Sequence, residues 1–168
     1  AATLQERHHV ERGDQVAFMA TNCLDLLVGI IATWRAGAVP VMLNARHTTT
    51  ELEQQLALCS PRVIFTRPEG LSMIPGAHLL GEVGGGRFEA PILRPTDPAL
   101  INFTSGTTAP SRAAIQSHLN LVSAAETWVR CLDLQPWDTT VVAAPMYHTT
   151  GLNGQSLPVL AAGGSVAI

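Results

Sequence analysis

The chain has 168 residues, 46% of them hydrophobic and only 14% charged, with 11 prolines and 14 glycines; this describes short buried elements joined by tight turns around one real core, and excludes disorder. A formal net charge of −3 leaves no basic footprint for nucleic acid. Lys and Arg together number 10 and all are Arg, so a mechanism needing a lysine amine as Schiff base, general base or phosphate clamp cannot run on these residues alone.

Ala1–Arg12 is polar and carries His8-His9, which reads as a solvated helix or loop face. No signal peptide is legible there, and no apolar run reaches the roughly 18–20 residues needed to span a bilayer. Gly13-Asp14 is a turn and Gln15–Met19 a strand. Thr21 or Asn22 is placed to cap a helix whose apolar face is Cys23, Leu26, Leu27, Ile30, Ile31 and Trp34. Gly37 ends it and Val39–Leu43 is the next strand. Thr50-x-x-Glu53 reads as a capping box opening a helix with Leu52, Leu56 and Cys59 inward, stopped by Pro61. Val63-Ile64-Phe65 is a third strand. The β-α-β-α-β order predicts a parallel sheet.

Pro68–Pro98 holds five of the eleven prolines and the run Gly84-Gly85-Gly86, and reads as a surface excursion with a short strand around His78–Leu80. A second block opens with the buried-type strand Ala99–Phe103. Ser117–Leu132 is a helix with Val122, Ala125, Val129 and Leu132 on one face, closed by Gln135-Pro136. Thr140–Ala143 is a strand, Pro145–Gly151 a loop and Leu152–Ala162 a helix stopped by Gly163-Gly164. Ser165–Ile168 begins a last strand. The expected organisation is a βα block over 13–66, an excursion over 67–98 and a second βα block over 99–168. Ending on an apolar strand, and entering its first strand after a dozen polar residues, the chain reads as a cut piece.

Cys23, Cys59 and Cys131 form no CxxC and no Cys/His metal spacing, so no metal site is expected; buried free thiols fit a reducing, cytoplasmic setting. The stretch with the most chemistry lies between the second-block strand and its helix. Thr104, Ser105, Thr107 and Thr108 carry hydroxyls beside Gly106, and Arg112 closes the run with a fixed charge. Glycine lets backbone approach an anion, while hydroxyls and N–H groups donate to it. On the residues alone two readings stand, a phosphate loop or a Ser/Thr-rich turn capping itself. It is not a Walker A loop, having no second Gly and no Lys, nor a dinucleotide-binding G-x-G-x-x-G. Gly154-Gln155-Ser156-Leu157-Pro158 has Pro where a hydrolase elbow needs Gly.

Phe103-Thr104-Ser105-Gly106-Thr107-Thr108, followed by Arg112 and Ser117-His118, resembles the signature loop T-S-G-T-T-G-x-P-K-G and the later S-H of the adenylate-forming (AMP-binding) superfamily. Gly13-Asp14-Gln15-Val16-Ala17 resembles its G-D-x-V-A entry. Trp34–Pro40, with Asn44, resembles its G-A-V-x-x-P-L-N region, and Pro145-Met146-Tyr147-His148-Thr149-Thr150-Gly151 its P-L-F-H-x-x-G segment. The resemblance implies an α/β fold, mostly parallel sheet with flanking helices, forming part of the large N-terminal domain. It implies ATP and Mg²⁺ as cofactors, a small carboxylic acid as substrate, an acyl-adenylate as product, and coenzyme A as acceptor in an acid–CoA ligase. Thr104, Ser105, Gly106, Thr107, Thr108 and Arg112 would hold ATP phosphates. Tyr147, His148 and Gly151 would border the acyl pocket, while Asn44 and His118 would fix loops. The departures are Ala109 for Gly, Pro110 one place early, Ser111 for Pro, Arg112 for Lys and Ala113 for Gly. The family's later motifs and its C-terminal domain with a catalytic Lys are missing, so this chain alone is expected to be inactive. The alternative is a truncated or decayed homologue serving as a fold remnant or interaction module. The residues specify no oligomeric state.

Overall fold

The structure is a computed structural model, described here for residues 1–81, 84, 86–104 and 111–168. The hydrophobic pattern resolves into α1 (Ala2–His8), β1 (Gln15–Met19), α2 (Leu24–Arg35), β2 (Val39–Leu43), α3 (Thr49–Leu56) and β3 (Val63–Thr66). A short 3₁₀ turn (Pro68–Gly70) leads to β4 (His78–Leu79), β5 (Pro98–Phe103) and β6 (Ala113–Ser117). Then come α4 (His118–Leu132), β7 (Thr139–Val141), a π-helix (Thr150–Ser156), α5 (Leu157–Ala161) and β8 (Ser165–Ala167).

Six strands form one sheet in the order β4-β3-β1-β2-β5-β6. All neighbours run parallel except the β5–β6 pair. β1 sits at the centre, and the chain winds first to one side of it through α2 and then to the other through α3. The two helices therefore cover opposite faces. Leu26, Leu27 and Ile30 of α2 pack with Val16, Phe18, Met42 and Leu100, whereas Leu52 of α3 packs with Ala17, Met19, Val41 and Leu43. A parallel sheet covered on both faces needs strands apolar throughout, which is why all five residues of β2 are buried. β7 and β8 form a separate parallel pair.

Several expectations are corrected. The N-cap of α2 is Cys23, without a side-chain cap, and Asn22 is engaged elsewhere. The capping box of α3 is Thr48/Glu51, two residues before the expected pair; Thr48 Oγ1 accepts from the Glu51 N–H and Glu51 accepts from the Thr48 N–H. That helix ends at Leu56, before Pro61 is reached. α1 is not simply solvated, since Ala2 and Leu4 are buried. β6 was not anticipated. α4 buries Leu121 and Ala125, while Val122 and Leu132 of the expected face are exposed. It ends on Asp133 at φ 50°, before Gln135-Pro136. The expected helix at Leu152–Ala162 is a π-helix running into α5.

Candidate functional site

In an open parallel sheet the carboxyl ends of the strands are where ligands bind, because loops leave there and helix N-termini face them. β1, β2 and β5 all end on that edge. β6 runs antiparallel to β5 beside it, so Thr104 and Ser111, which flank the signature stretch, stand together at this edge. Ser105, Gly106, Thr107, Thr108, Ala109 and Pro110 lie outside the described residues. The base of the loop is fixed by three hydrogen bonds. Thr104 N–H donates to the Arg112 carbonyl at 2.9 Å. Arg112 N–H donates to Thr104 Oγ1 at 3.1 Å, and the Ser111 hydroxyl donates to the Thr104 carbonyl at 2.9 Å. Thr104 is thus a clasp, its hydroxyl oxygen accepting from the Arg112 N–H. The exposed Arg112 guanidinium has no partner among the described residues.

Tyr147 and His148 reach the same edge through Asn22. This residue follows the end of β1, two strands and so about 10 Å from β5. Its Nδ2 donates to the Val142 carbonyl at 3.0 Å and the Ala144 carbonyl at 2.9 Å, and its Oδ1 accepts from Met146 N–H at 2.7 Å. From the other side Ala144 N–H donates to Gln155 Oε1 at 3.1 Å. Two side-chain amides thus satisfy the backbone of a segment that has no strand partner there. Tyr147 is buried in the core, while His148 is exposed with its ring 4.7 Å from the Tyr147 ring. The tyrosine is a packing platform and the histidine the group presented outward.

Gly151 is where the π-helix passes closest to the loop before it. A Cβ there would lie 2.5 Å from the Ala144 oxygen and the Pro145 carbonyl carbon, and closer still to the Pro145 oxygen. The Ser156 hydroxyl donates to the Gly151 carbonyl at 2.7 Å, tying the two ends of this wide turn together. β6 and the π-helix meet through Asn153 Nδ2, which donates to Gln116 Oε1 at 2.8 Å. Between them and α4 opens a cleft of about 460 Å³, with Thr149 and Thr150, the neighbours of His148, on its wall. The cleft therefore joins the strand leaving Arg112 to the segment carrying His148. Sequence reasoning missed Asn22, Gln116 and Asn153. For Asn22 the available signal was its place just past a parallel strand.

His118 opens α4, where its N–H donates to the Asp97 carbonyl at 3.1 Å. Burial holds its imidazole below the ordinary value, with Asp97 opposing weakly. Asp97 is held low by the Arg94 N–H and by the Arg12 guanidinium at 2.7 Å. These groups fasten the β5–β6 pair to α1's trailing loop. Among the described residues, no three His, Cys, Asp or Glu side chains stand together as metal ligands. No helix among them is long and apolar enough to cross a membrane.

The model of the AMP-binding enzyme family matches residues 1–168. An indoleacetate–CoA ligase from Aromatoleum aromaticum is 30% identical over 91% of this chain and 34% of its own length. A feruloyl-CoA synthase from an Amycolatopsis species is 32% identical over 95% of the chain and 34% of its own length. Among solved structures, ATP-bound MatB from Rhodopseudomonas palustris superposes with a TM-score of 0.87 at 27% identity, covering 99% of this chain and 37% of that one. The chain spans about a third of the length of the relatives it matches. A doubly wound, mostly parallel sheet, matched by the family model from residue 1 to residue 168, makes this chain a member of the AMP-binding, adenylate-forming enzyme family.

Proposed function

We propose that these residues supply the ATP-phosphate loop and the acyl-side border of an acid–CoA ligase. In that reaction a carboxylate oxygen attacks the α-phosphorus of ATP and pyrophosphate leaves. The thiol of coenzyme A then attacks the acyl carbon, and AMP leaves. The observation that carries the reading is the clasp of Thr104 on Ser111 and Arg112, with the Arg112 guanidinium free of partners among the described residues, on the same sheet edge as Tyr147 and His148. The names of the two relatives support it, as does ATP in the solved neighbour. Developing charge on a transferring phosphoryl group is stabilised by positioned donors and cations, and Arg112 is suited to that role. Thr104 would hold the loop's base, and Ser105, Gly106, Thr107 and Thr108 would face the phosphates. Mg²⁺ would arrive with ATP, since the described residues offer it no cluster of three ligands. His148 and Gly151 would border the acyl group, with Tyr147 holding the His148 ring from behind. The blocks 13–66 and 99–168 are the two units that meet at this edge, with 67–98 the excursion between them.

The test is calorimetric titration of the 168-residue chain with MgATP. Binding is expected, weakened about tenfold in Arg112→Ala, since hydrogen bonds to a charged group contribute roughly 1.5–3 kcal/mol. No binding, or equal binding by the variant, refutes the role given to this loop. ATP–pyrophosphate exchange is expected to be at background for this chain alone. Exchange above background would show that these residues suffice for adenylation.

A further inference from the structure

The six-stranded sheet has two edges, and they differ. β4 is two residues long, too short to template another strand. β6 forms the other edge with five residues, Ala113–Ser117, none of them charged or proline. Natural edges are guarded by charge, proline or brevity, and β6 has none of these.

The free groups of this edge follow from the ladder. In an antiparallel pair, successive residues point their N–H and C=O alternately toward the neighbour and away from it. Thr104 N–H donates to the Arg112 carbonyl, so Arg112, Ala114 and Gln116 face β5, while Ala113 and Ile115 turn their backbone groups outward. Nothing among the described residues takes up those outward groups. Ile115 stands opposite Ile101 on the α3 side of the sheet, yet it is 65% exposed, because α3 lies over the central strands.

We propose that β6 is a docking edge for a second copy of this chain, the two β6 strands pairing antiparallel about a two-fold axis at Ala114. The argument for a second copy is self-complementarity. With Ala114 opposite itself, Ala113 meets the partner's Ile115 and Ile115 meets the partner's Ala113, so every outward N–H and C=O of both strands is paired. Each isoleucine lies beside an alanine, large against small. Arg112 falls opposite the partner's Gln116, and no like charges meet. A register centred on Ile115 would instead call on the Ser117 N–H, which already donates to Asn120 Oδ1 at 2.9 Å. An interface this small belongs to the weak class, with a dissociation constant on the order of 100 µM.

The test is sedimentation equilibrium of the 168-residue chain from about 5 to about 500 µM, where the mass should rise from one chain toward two. Over the same range hydrogen exchange should slow at the Ala113 and Ile115 amides and not at Ala114, whose N–H faces β5. Ile115→Lys sets a guarding charge on the edge and should weaken association at least about tenfold. Ile115→Pro removes an outward donor and spares the ladder to β5, giving the same readout should the lysine variant not fold. Val122→Lys on the exposed side of α4 and Val141→Lys on β7 should leave association unchanged. A monomer at every concentration overturns the proposal. So does a dimer that survives both Ile115 variants, or one dissolved by Val122→Lys or Val141→Lys. Assembly beyond two copies overturns it as well, since pairing about a two-fold axis consumes the edge.

Discussion

Gly151→Ala adds one methyl group at the tightest point of the site. The new Cβ meets three backbone atoms of Ala144 and Pro145, two of them at 2.5 Å and one closer, where ordinary contacts begin near 3.4 Å. Backbone cannot swing aside as a side chain can, and this backbone is already tied to Asn22 and Gln155. Overpacking costs about 1–3 kcal/mol, and a clash with fixed backbone belongs at the upper end. For a domain of this size that lowers Tm by roughly 6–12 °C. Gly154→Ala is the control, in the same π-helix with nothing within 4 Å of its Cβ. There the gain in helix propensity should leave stability unchanged or raise it by up to about 1 kcal/mol. Urea and thermal unfolding followed by circular dichroism measure both. Equal stability of the two variants would refute the claim that Gly151 is required by backbone approach.

Asn22→Ala removes one acceptor and two donors from three buried or half-buried backbone groups, and should cost about 2–4 kcal/mol in a urea titration. Thr48→Ala should cost about 1 kcal/mol and Thr50→Ala almost nothing; the reverse order would return the capping box to Thr50 and Glu53. Below about pH 6.5 the unfolded chain protonates His118 more readily than the folded one does, since burial depresses the folded value. Stability should therefore fall as pH drops through that point, and the fall should saturate below the folded value. Urea midpoints of wild type and His118→Asn at pH 7.5 and 5.0 test this: an identical loss in both would rule out the histidine as its source.

The strands of the first block were legible because burial on both faces leaves a continuous apolar run, as in Val39–Leu43. The α3 cap was misplaced because Thr48-Thr49-Thr50 with Glu51 and Glu53 offers the same spacing twice. Nothing local decides between them. β6 was invisible for a different reason. Ala113-Ala114-Ile115-Gln116-Ser117 has weak strand propensity, and it is held by its ladder to β5. The expected face of α4 failed because a periodic pattern says which residues share a side, not which side meets the core. Gln116 and Asn153 are 37 positions apart, and no spacing rule links them. Tyr147 and His148 were found by resemblance, but their division into a buried platform and an exposed ring needed coordinates.

The bond between Asn22 and Met146 spans 124 positions of sequence and bears on the order of folding. Closing so long a loop costs entropy before any contact repays it, so contacts of this reach form late. The first sheet can assemble from neighbouring β-α-β units, with Asn22 waiting at its edge. The segment carrying His148 then docks onto a finished frame. Weakening that contact should speed unfolding and leave the refolding rate nearly unchanged. The segment carrying His148 is thus expected to be the last part of the fold to arrive and the first to leave.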